Sequence, residues 1–172
     1  MDREPKIEER PQQPYAGIAG EAADEGEFRR FVDSSFPELF GWLGRHGLDP
    51  AAPFIRYLEV ASDGQPLRFE LGVPTRAAPN SDGRVQAGTL PAGRYATFLH
   101  VGPYTHAELA DLNDAREALT GWAAREGLTL AAAATPRGTA YEANVEHYLT
   151  DASREPDWSK WETQLAFLIA DA

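Results

Sequence analysis

The 172-residue chain contains no cysteine, which excludes disulfide bonds, a thiolate nucleophile and a cysteine-ligated zinc site. It also lacks any apolar run long enough to cross a bilayer. The charged N-terminus MDREPKIEER has no apolar stretch of the kind that a secretory signal requires. We therefore predict a soluble protein of the reducing cytoplasm that has no membrane partner.

Basic side chains are also scarce, with 16 Lys and Arg against 27 Asp and Glu and a formal net charge of -11. A chain this acidic repels the phosphates that dominate the affinity of proteins for nucleic acids, and no basic cluster overrides the average. The sequence therefore predicts no nucleic-acid partner.

The motifs of common catalytic and cofactor sites are missing as well. There is no G-x-S-x-G elbow, no Walker A loop, no G-x-G-x-x-G and no H-E-x-x-H. The histidines have no ligand spacing on a common helix face, so we expect neither a metal nor a cofactor. A Ser-His-Asp triad stays open, because its members need to be close only in space.

Apolar periodicity predicts a mixed order of strands and helices after a disordered tail at residues 1–12. The first helix follows the acidic residues 21–27 and ends at Gly47. Because Pro37 interrupts its pattern, we expect a kink or a restart near Ser34 or Ser35. The second helix is predicted over residues 105–128. The predicted strands are QPYAGIAG (13–20), two runs at 54–60 and 67–73 around an Asp63-Gly64 turn, an extended pair at 84–90 and 94–102, and two final strands at 141–150 and 161–169.

The two helices end alike, in GWLGRHGL (41–48) and GWAAREGL (121–128). With the strands around them, this indicates an α+β fold of two β-α-β-β halves, about residues 13–80 and 84–170, within one ligand-binding domain at 13–172. We expect the halves to pair edge to edge about a pseudo-twofold axis. The helices would then lie on one side of antiparallel sheets, and a ligand cleft on the other.

Glu146 is the sharpest candidate for chemistry, because it lies within a predicted strand of a two-layer domain. Alternation places Glu142, Asn144, Glu146 and Tyr148 on one face of that strand. In a cavity such a carboxylate would need a cation or a hydrogen-bond donor. An exposed sheet face with ordinary polar residues explains the pattern equally well.

Other residues could complete a small-molecule site around this carboxylate. Gln164 on the last strand could present its amide to the same cavity, and aromatic side chains could form a cage. Trp122 instead falls on the apolar stripe of the second helix and is expected in the core. The predicted cage and ligand-contact residues are Tyr104, Tyr148, Trp158, Trp161 and Phe40.

The runs GRYATFLHVGPY (93–104) and VEHYLTD…EPDWSKWETQLAF (145–167), with the second GW…GL helix, resemble the GyrI-like small-molecule-binding domain. This domain also occurs in AraC- and MerR-type multidrug regulators. The resemblance implies two β-α-β-β modules around a hydrophobic cleft for diverse, often cationic, drugs, with Glu146 as the acidic residue at its floor. It also implies a possible activity, since one stand-alone subfamily hydrolyses cyclopropane-bearing DNA-alkylating natural products in an aromatic cage.

The chain departs from the family pattern in two places. Gln164 stands where Thr163 is usually followed by Glu, and Ala166 stands where cation-binding members often have tyrosine. Only about 12 residues precede the first strand, so we expect a stand-alone protein rather than a one-component regulator.

Three functions follow from the residues and the resemblance. The first is a binding protein that sequesters hydrophobic, in some cases cationic, foreign molecules. The second is a hydrolase in which Glu146 activates water and Tyr104 or Tyr148 stabilises an oxyanion. The third and least favoured is a protein that interacts with DNA gyrase.

Overall fold

The computed structural model describes residues 4–102, 109–151 and 153–170, which form ten strands and two long helices. The strands are β1 Lys6–Arg10, β2 Gln13–Glu21, β3 Phe54–Ala61, β4 Pro66–Pro74, β5 Gln86–Leu90, β6 Gly93–Val101, β7 Ala132–Ala134, β8 Gly138–Tyr141, β9 Asn144–Tyr148 and β10 Glu162–Leu168. The helices are α1 Glu25–Arg45 and α2 Leu109–Arg125, and a short 3-10 turn covers Trp158–Lys160.

The strands form one curled antiparallel sheet in the order β1-β6-β10-β9-β3-β4-β2-β5, with β8 also pairing β3 and β7. The central part of the sheet contains a repeated unit. Strands β3, β4 and β2 with helix α1 correspond to strands β9, β10 and β6 with helix α2. The two halves meet where β3 pairs with β9. Ile55 lies opposite Glu146 across this seam. The predicted α+β fold of two β-α-β-β halves is therefore confirmed, with the two sheets fused into one.

Each half closes its outer edge with a short strand from the other part of the chain. The expected tail is wrong for β1, which pairs β6 from Lys6↔Thr97 to Arg10↔Gly93. The expected pair of residues 84–90 with 94–102 is wrong too, because β5 pairs β2. The physical reason is the same in both cases: the outer strands β6 and β2 would otherwise leave a row of backbone donors and acceptors unpaired.

The helix ends explain the repeated GL motif. Gly47 and Gly127 have positive φ angles of 65° and 72°, which glycine adopts without strain. The following leucine donates its backbone N–H to the carbonyl five residues earlier, Leu48 to Leu43 and Leu128 to Ala123, at 2.9 Å in both cases. Both helices thus end in the same glycine-dependent cap, as predicted.

Helix α1 begins at the N-cap Asp24, which accepts the N–H of Glu27 at 2.8 Å, while Glu27 accepts the N–H of Ala23, one residue before the cap, at 2.8 Å. A helix restart at Ser34 or Ser35, one of the two expected effects of Pro37, does not occur, because α1 continues through the proline to Arg45. Buried Leu39 and Leu43 on the following turns pack on the sheet. This tertiary packing offsets the backbone hydrogen bond that proline removes.

The sheet face turned away from the helices is filled by its own side chains. Tyr15, Phe54, Tyr95 and Val145 form a buried cluster there that includes no helix residue. The face toward the helices carries the buried clusters that α1 and α2 cover. Trp122 packs against the cluster under α2, as expected of a core residue.

The last part of the chain is more divided than its pattern predicts. The single strand expected over 141–150 is two strands, β8 and β9, and the small-residue stretch before it contains β7. Ala143 between β8 and β9 is buried in the cluster on the face away from the helices. Strand β9 pairs with one part of the edge of β3, and β8 pairs with the other part of the same edge.

Close backbone contact at the β8–β3 pairing predicts a large effect of one methyl group. A Cβ at Gly138 would lie 2.1 Å from the Val60 carbonyl oxygen, which is fixed in the sheet. We expect Gly138→Ala to lower the free energy of unfolding by about 2–3 kcal/mol. Gly44→Ala is the matched control, because nothing lies within 4 Å of its Cβ, and it should raise stability by about 0.5–1 kcal/mol. Urea denaturation of both variants measures this; equal stability would contradict it.

Candidate ligand-binding site

A cavity of about 810 Å³ lies over the seam between the halves, on the side of the sheet that carries the helices. The expected cleft on the opposite face is wrong, because that face is filled by the cluster around Phe54 and Tyr95. The described lining residues are Glu25, Phe28, Arg29, Val32, Asp33, Phe36, Phe40, Pro50, Ala51, Ala52, Pro53, Ile55, Tyr57, Leu112, Glu146, Tyr148, Leu149, Thr150, Asp151, Arg154 and Trp161.

Helix α1 forms the largest apolar wall. Phe28, Val32, Phe36 and Phe40 repeat every four residues, so they lie in one row along the helix. Each of them is half-buried, whereas the neighbouring row with Leu39 is fully buried against the sheet. One side of α1 therefore packs the core, and the adjacent row faces the cavity.

Glu146 lies at the floor of the cavity and is only 2% exposed. It projects from β9 next to the seam, between Ile55 of β3 and Leu165 of β10 in register. A charge buried among such apolar neighbours costs a large desolvation free energy unless other groups compensate it.

Three side chains compensate this carboxylate. The Arg116 guanidinium of α2 donates to Oε1 in a short ion-paired hydrogen bond. The Tyr57 hydroxyl donates to Oε2 at 3.1 Å, and the Tyr148 hydroxyl donates to the same oxygen at 2.7 Å. Glu146 is thus held by one cation and two phenols that come from three different elements.

The partners of Glu146 are themselves fixed. The Arg116 guanidinium also donates to Asn113 Oδ1 at 2.6 Å and lies 5.7 Å from the centre of the Tyr57 ring, within cation–π distance. Burial raises the pKa of Tyr57, although the charge of Arg116 and a hydrogen bond with Tyr148 oppose that shift. Tyr57 therefore stays a protonated donor at neutral pH.

Three of the predicted cage residues, Phe40, Tyr148 and Trp161, line the same cavity as Glu146. The Trp161 indole N–H donates to the Glu155 carbonyl at 2.9 Å, which fixes the ring beside the mouth. The prediction for Trp158 is wrong, because this residue is 56% exposed and does not line the cavity. Tyr104 lies outside the described residues.

Gln164 does not reach the cavity. In the sheet register Gln164 lies opposite His147, whereas Leu165 lies opposite Glu146, so Gln164 and Glu146 project to opposite faces. Its side-chain oxygen accepts from Arg10 Nη2 at 2.7 Å, and Arg10 also contacts the His147 ring and Glu8. Gln164 therefore joins β1 to the sheet instead of contacting a ligand.

Two central residues, Tyr57 and Arg116, were not predicted. Tyr57 could have been found, because it shares the face of Ile55 on a strand that pairs beside Glu146. Arg116 follows Leu112 by four residues, so a basic side chain stands next to the buried stripe of α2. That position was the available signal for a cation directed at a buried acid.

Charged side chains lie at the mouth of the cavity. Glu25 accepts from Arg29 at 2.8 Å, and Asp151 lies 3.6 Å from Arg154. The exposed Asp33 also lines the mouth and has no ion-pair partner among the described residues. These groups surround the entrance with both charge signs.

Two further features bear on the kind of site. Within residues 4–102, 109–151 and 153–170, no three His, Asp or Glu side chains come together in a way that could hold a metal ion. Over the same ranges, neither helix combines the length and apolar character that crossing a bilayer requires.

Comparison with known proteins identifies relatives of this fold. Residues 3–166 match the GyrI-like family, described as a GyrI-like small molecule binding domain. The C-terminal domain of EcmrR superposes with a TM-score of 0.75 at 17% identity, covering 100% of both chains. In the EcmrR–DNA complex the TM-score is 0.77 at 17% identity over 98% of this chain, which spans 58% of the EcmrR chain.

Two more solved structures share the fold at lower similarity. SAV2435 bound to tetraphenylphosphonium has a TM-score of 0.57 at 11% identity, covering 97% of this chain and 94% of that one. A hydrolase from Listeria innocua has a TM-score of 0.57 at 15% identity, covering 98% of this chain and 92% of that one. No curated protein sequence matches the chain. At these identities the structural likeness establishes the fold alone.

The contact between Arg10 and His147 predicts a pH-dependent stability. Burial, together with the charge of Arg10, lowers the pKa of His147 from 6.5 to about 4, although Glu8 opposes the shift. Between these values the unfolded chain binds a proton that the folded chain does not. The free energy of unfolding should therefore be greatest above pH 6.5 and fall by about 2 kcal/mol as the pH drops to about 4.

The change in the free energy of unfolding with pH is measured by urea denaturation at a series of pH values. His147→Gln should remove most of it, whereas the control His46→Gln, at the end of α1, should retain it. An unchanged slope in His147→Gln would contradict the assignment.

Proposed function

The chain belongs to the GyrI-like small-molecule-binding domain family, and we propose on that basis that it binds hydrophobic small molecules in the cavity beside α1. Binding would sequester foreign compounds from the rest of the cell. The observation that carries this proposal is an apolar cavity of about 810 Å³ whose floor holds one hydrogen-bonded, ion-paired acid. Its volume lies within the range of about 300–1,000 Å³ that small-molecule sites occupy.

The physical gain on binding is dominated by apolar burial. A ligand that buried about 200 Å² of apolar surface against the α1 row and Trp161 would gain about 5 kcal/mol before the costs of association. Cationic ligands belong to the proposed range where they can displace Arg116 from Glu146, because that arginine otherwise neutralises the carboxylate. The likeness to SAV2435, whose structure holds tetraphenylphosphonium, supports that range.

Binding is favoured over catalysis by the state of Glu146. A general base needs a lone pair directed at the proton that it removes. Here both oxygens already accept hydrogen bonds, Oε1 from Arg116 and Oε2 from two tyrosines. The arrangement holds the carboxylate in place and leaves about one of its four acceptor positions for a substrate water.

Hydrolysis is the second candidate, and the observation that favours it is the pair of phenols beside a buried carboxylate. Glu146 would activate a water, and Tyr148 or Tyr104 would donate to the developing oxyanion. The likeness to a hydrolase from Listeria innocua adds support.

A measurement of turnover distinguishes the hydrolase hypothesis from the binding hypothesis. If the protein is a hydrolase, incubation with cyclopropane-bearing DNA alkylators should give ring-opened products by mass spectrometry, and Glu146→Gln should slow their formation by at least about 100-fold. The absence of products across several such substrates would contradict the hydrolase reading while leaving binding intact.

An interaction with DNA gyrase would use the surface instead of the cavity. A supercoiling assay with purified gyrase tests it directly, because a gyrase-binding protein should change the rate of supercoiling. Unchanged supercoiling at a large excess of the protein would contradict this reading.

Binding in the cavity predicts that filling it blocks ligands. Val32 lines the cavity, whereas Ser34, two residues later on α1, is exposed and does not. We expect Val32→Trp to weaken binding of the neutral dye Nile red at least about tenfold, because the indole takes up ligand volume. The control Ser34→Trp should leave the affinity within about twofold. A fluorescence titration that shows equal affinities for both variants would contradict the proposed site.

A further inference from the structure

The place where a cationic ligand would be recognised is already taken by a side chain of the protein. The Arg116 guanidinium lies on Glu146 Oε1 and within 5.7 Å of the Tyr57 ring centre, between an acid and an aromatic face. Resting on the proposed function, we infer that Arg116, which contacts the lining residues Glu146 and Tyr57 without itself lining the cavity, is the cation that already occupies Glu146. Uncharged hydrophobic molecules then bind without disturbing the floor, whereas a cation must displace Arg116 or do without Glu146.

Glu146 has few free hydrogen-bond acceptor positions for a second cation. A carboxylate offers about four acceptor positions. Arg116, Tyr57 and Tyr148 use three of them, and Glu146 is 2% exposed. A cation that approached with Arg116 in place would meet a neutralised acid and a like charge beside it.

The groups at the mouth do not restore a preference for cations. Glu25 is paired with Arg29 and Asp151 with Arg154, so two of the acids there are compensated. Asp33 is exposed, and solvent and salt screen its attraction for a charge inside the cavity. The charge preference of the site therefore depends on whether Arg116 holds Glu146.

Arg116 is nevertheless built to be displaceable. Its side chain is 26% exposed, whereas the Glu146 side chain is 3% exposed, so the arginine can move toward water while the acid cannot. Its second hydrogen bond, to Asn113 on the same helix, does not depend on the carboxylate. Removing the guanidinium should thus convert a site for uncharged molecules into a site for cations.

The test compares a cationic probe with an uncharged one in Arg116→Gln. By isothermal titration calorimetry, tetraphenylphosphonium should bind this variant at least about tenfold more tightly than the native protein, because it takes over the charge at Glu146. Triphenylphosphine oxide should bind both proteins within about twofold. A tetraphenylphosphonium affinity unchanged by the substitution would overturn the inference.

A matched control removes the same charge elsewhere on the same helix. Arg125 is exposed in the last turn of α2 and, unlike Arg116, forms no ion pair with a cavity residue in the part of the chain that the structure describes. Arg125→Gln should leave the affinity for tetraphenylphosphonium within about twofold of native. An increase equal to that of Arg116→Gln would show that net charge, and not the pairing with Glu146, controls binding, and it would overturn the inference.

The double variant Arg116→Gln/Glu146→Gln keeps the test available if the buried acid without its partner prevents folding. It leaves the net charge of the floor unchanged, so its affinity for tetraphenylphosphonium should stay within about twofold of native. A loss of tenfold or more would mean that Glu146 meets the cation in the native protein, which overturns the inference. If neither probe binds the native protein, the proposed function itself fails.

Discussion

The ion pair between Glu146 and Arg116 connects the seam of the sheet to helix α2, and most features of the site depend on it. Glu146 belongs to the pairing of β3 with β9. Among the described residues, this is the only direct strand pairing between the two central repeats. Removing one partner of such a buried pair typically costs about 3–5 kcal/mol, because the other charge stays buried and unpaired. The pair therefore ties the position of α2 to the same carboxylate that forms the floor of the cavity.

The cavity itself follows from the way the halves are joined. Each helix covers the strands of its own half, and the seam between β3 and β9 runs between the two covered regions. A single curled sheet brings its other face together around Tyr15, Phe54 and Tyr95, so no room for a ligand is left there. Apolar space remains over the seam, where the row of α1 that includes Phe36 is only half-buried against the sheet.

The sequence predicted the parts of this structure that local patterns encode. The apolar stripe of the second helix and the similar helix ends at Gly47 and Gly127 depend on residues close in the chain, and these predictions were confirmed. The repeat and the family resemblance extended this success to the two-module fold. Glu146 was identified because a carboxylate in mid-strand violates the local pattern.

Most failures at the sheet edges and in the site concern partners that are distant in the chain. The edge pairings of β1 and β5 are set by unpaired backbone groups far away, and no local periodicity reveals them. Gln164 was assigned to the wrong face because the register between β9 and β10 was not known. Arg116 was missed because its partner lies 30 residues later, on another element.

Family membership and structure lead to one account, in which an apolar cavity receives molecules over a floor whose charge the protein has already neutralised. The most direct measurement is a crystal structure of the protein with triphenylphosphine oxide bound. The account predicts the ligand against Phe36 and Trp161, with Arg116 still on Glu146. A ligand on the face of Tyr95 and Phe54, or one that contacts Glu146 with Arg116 turned away, would contradict it.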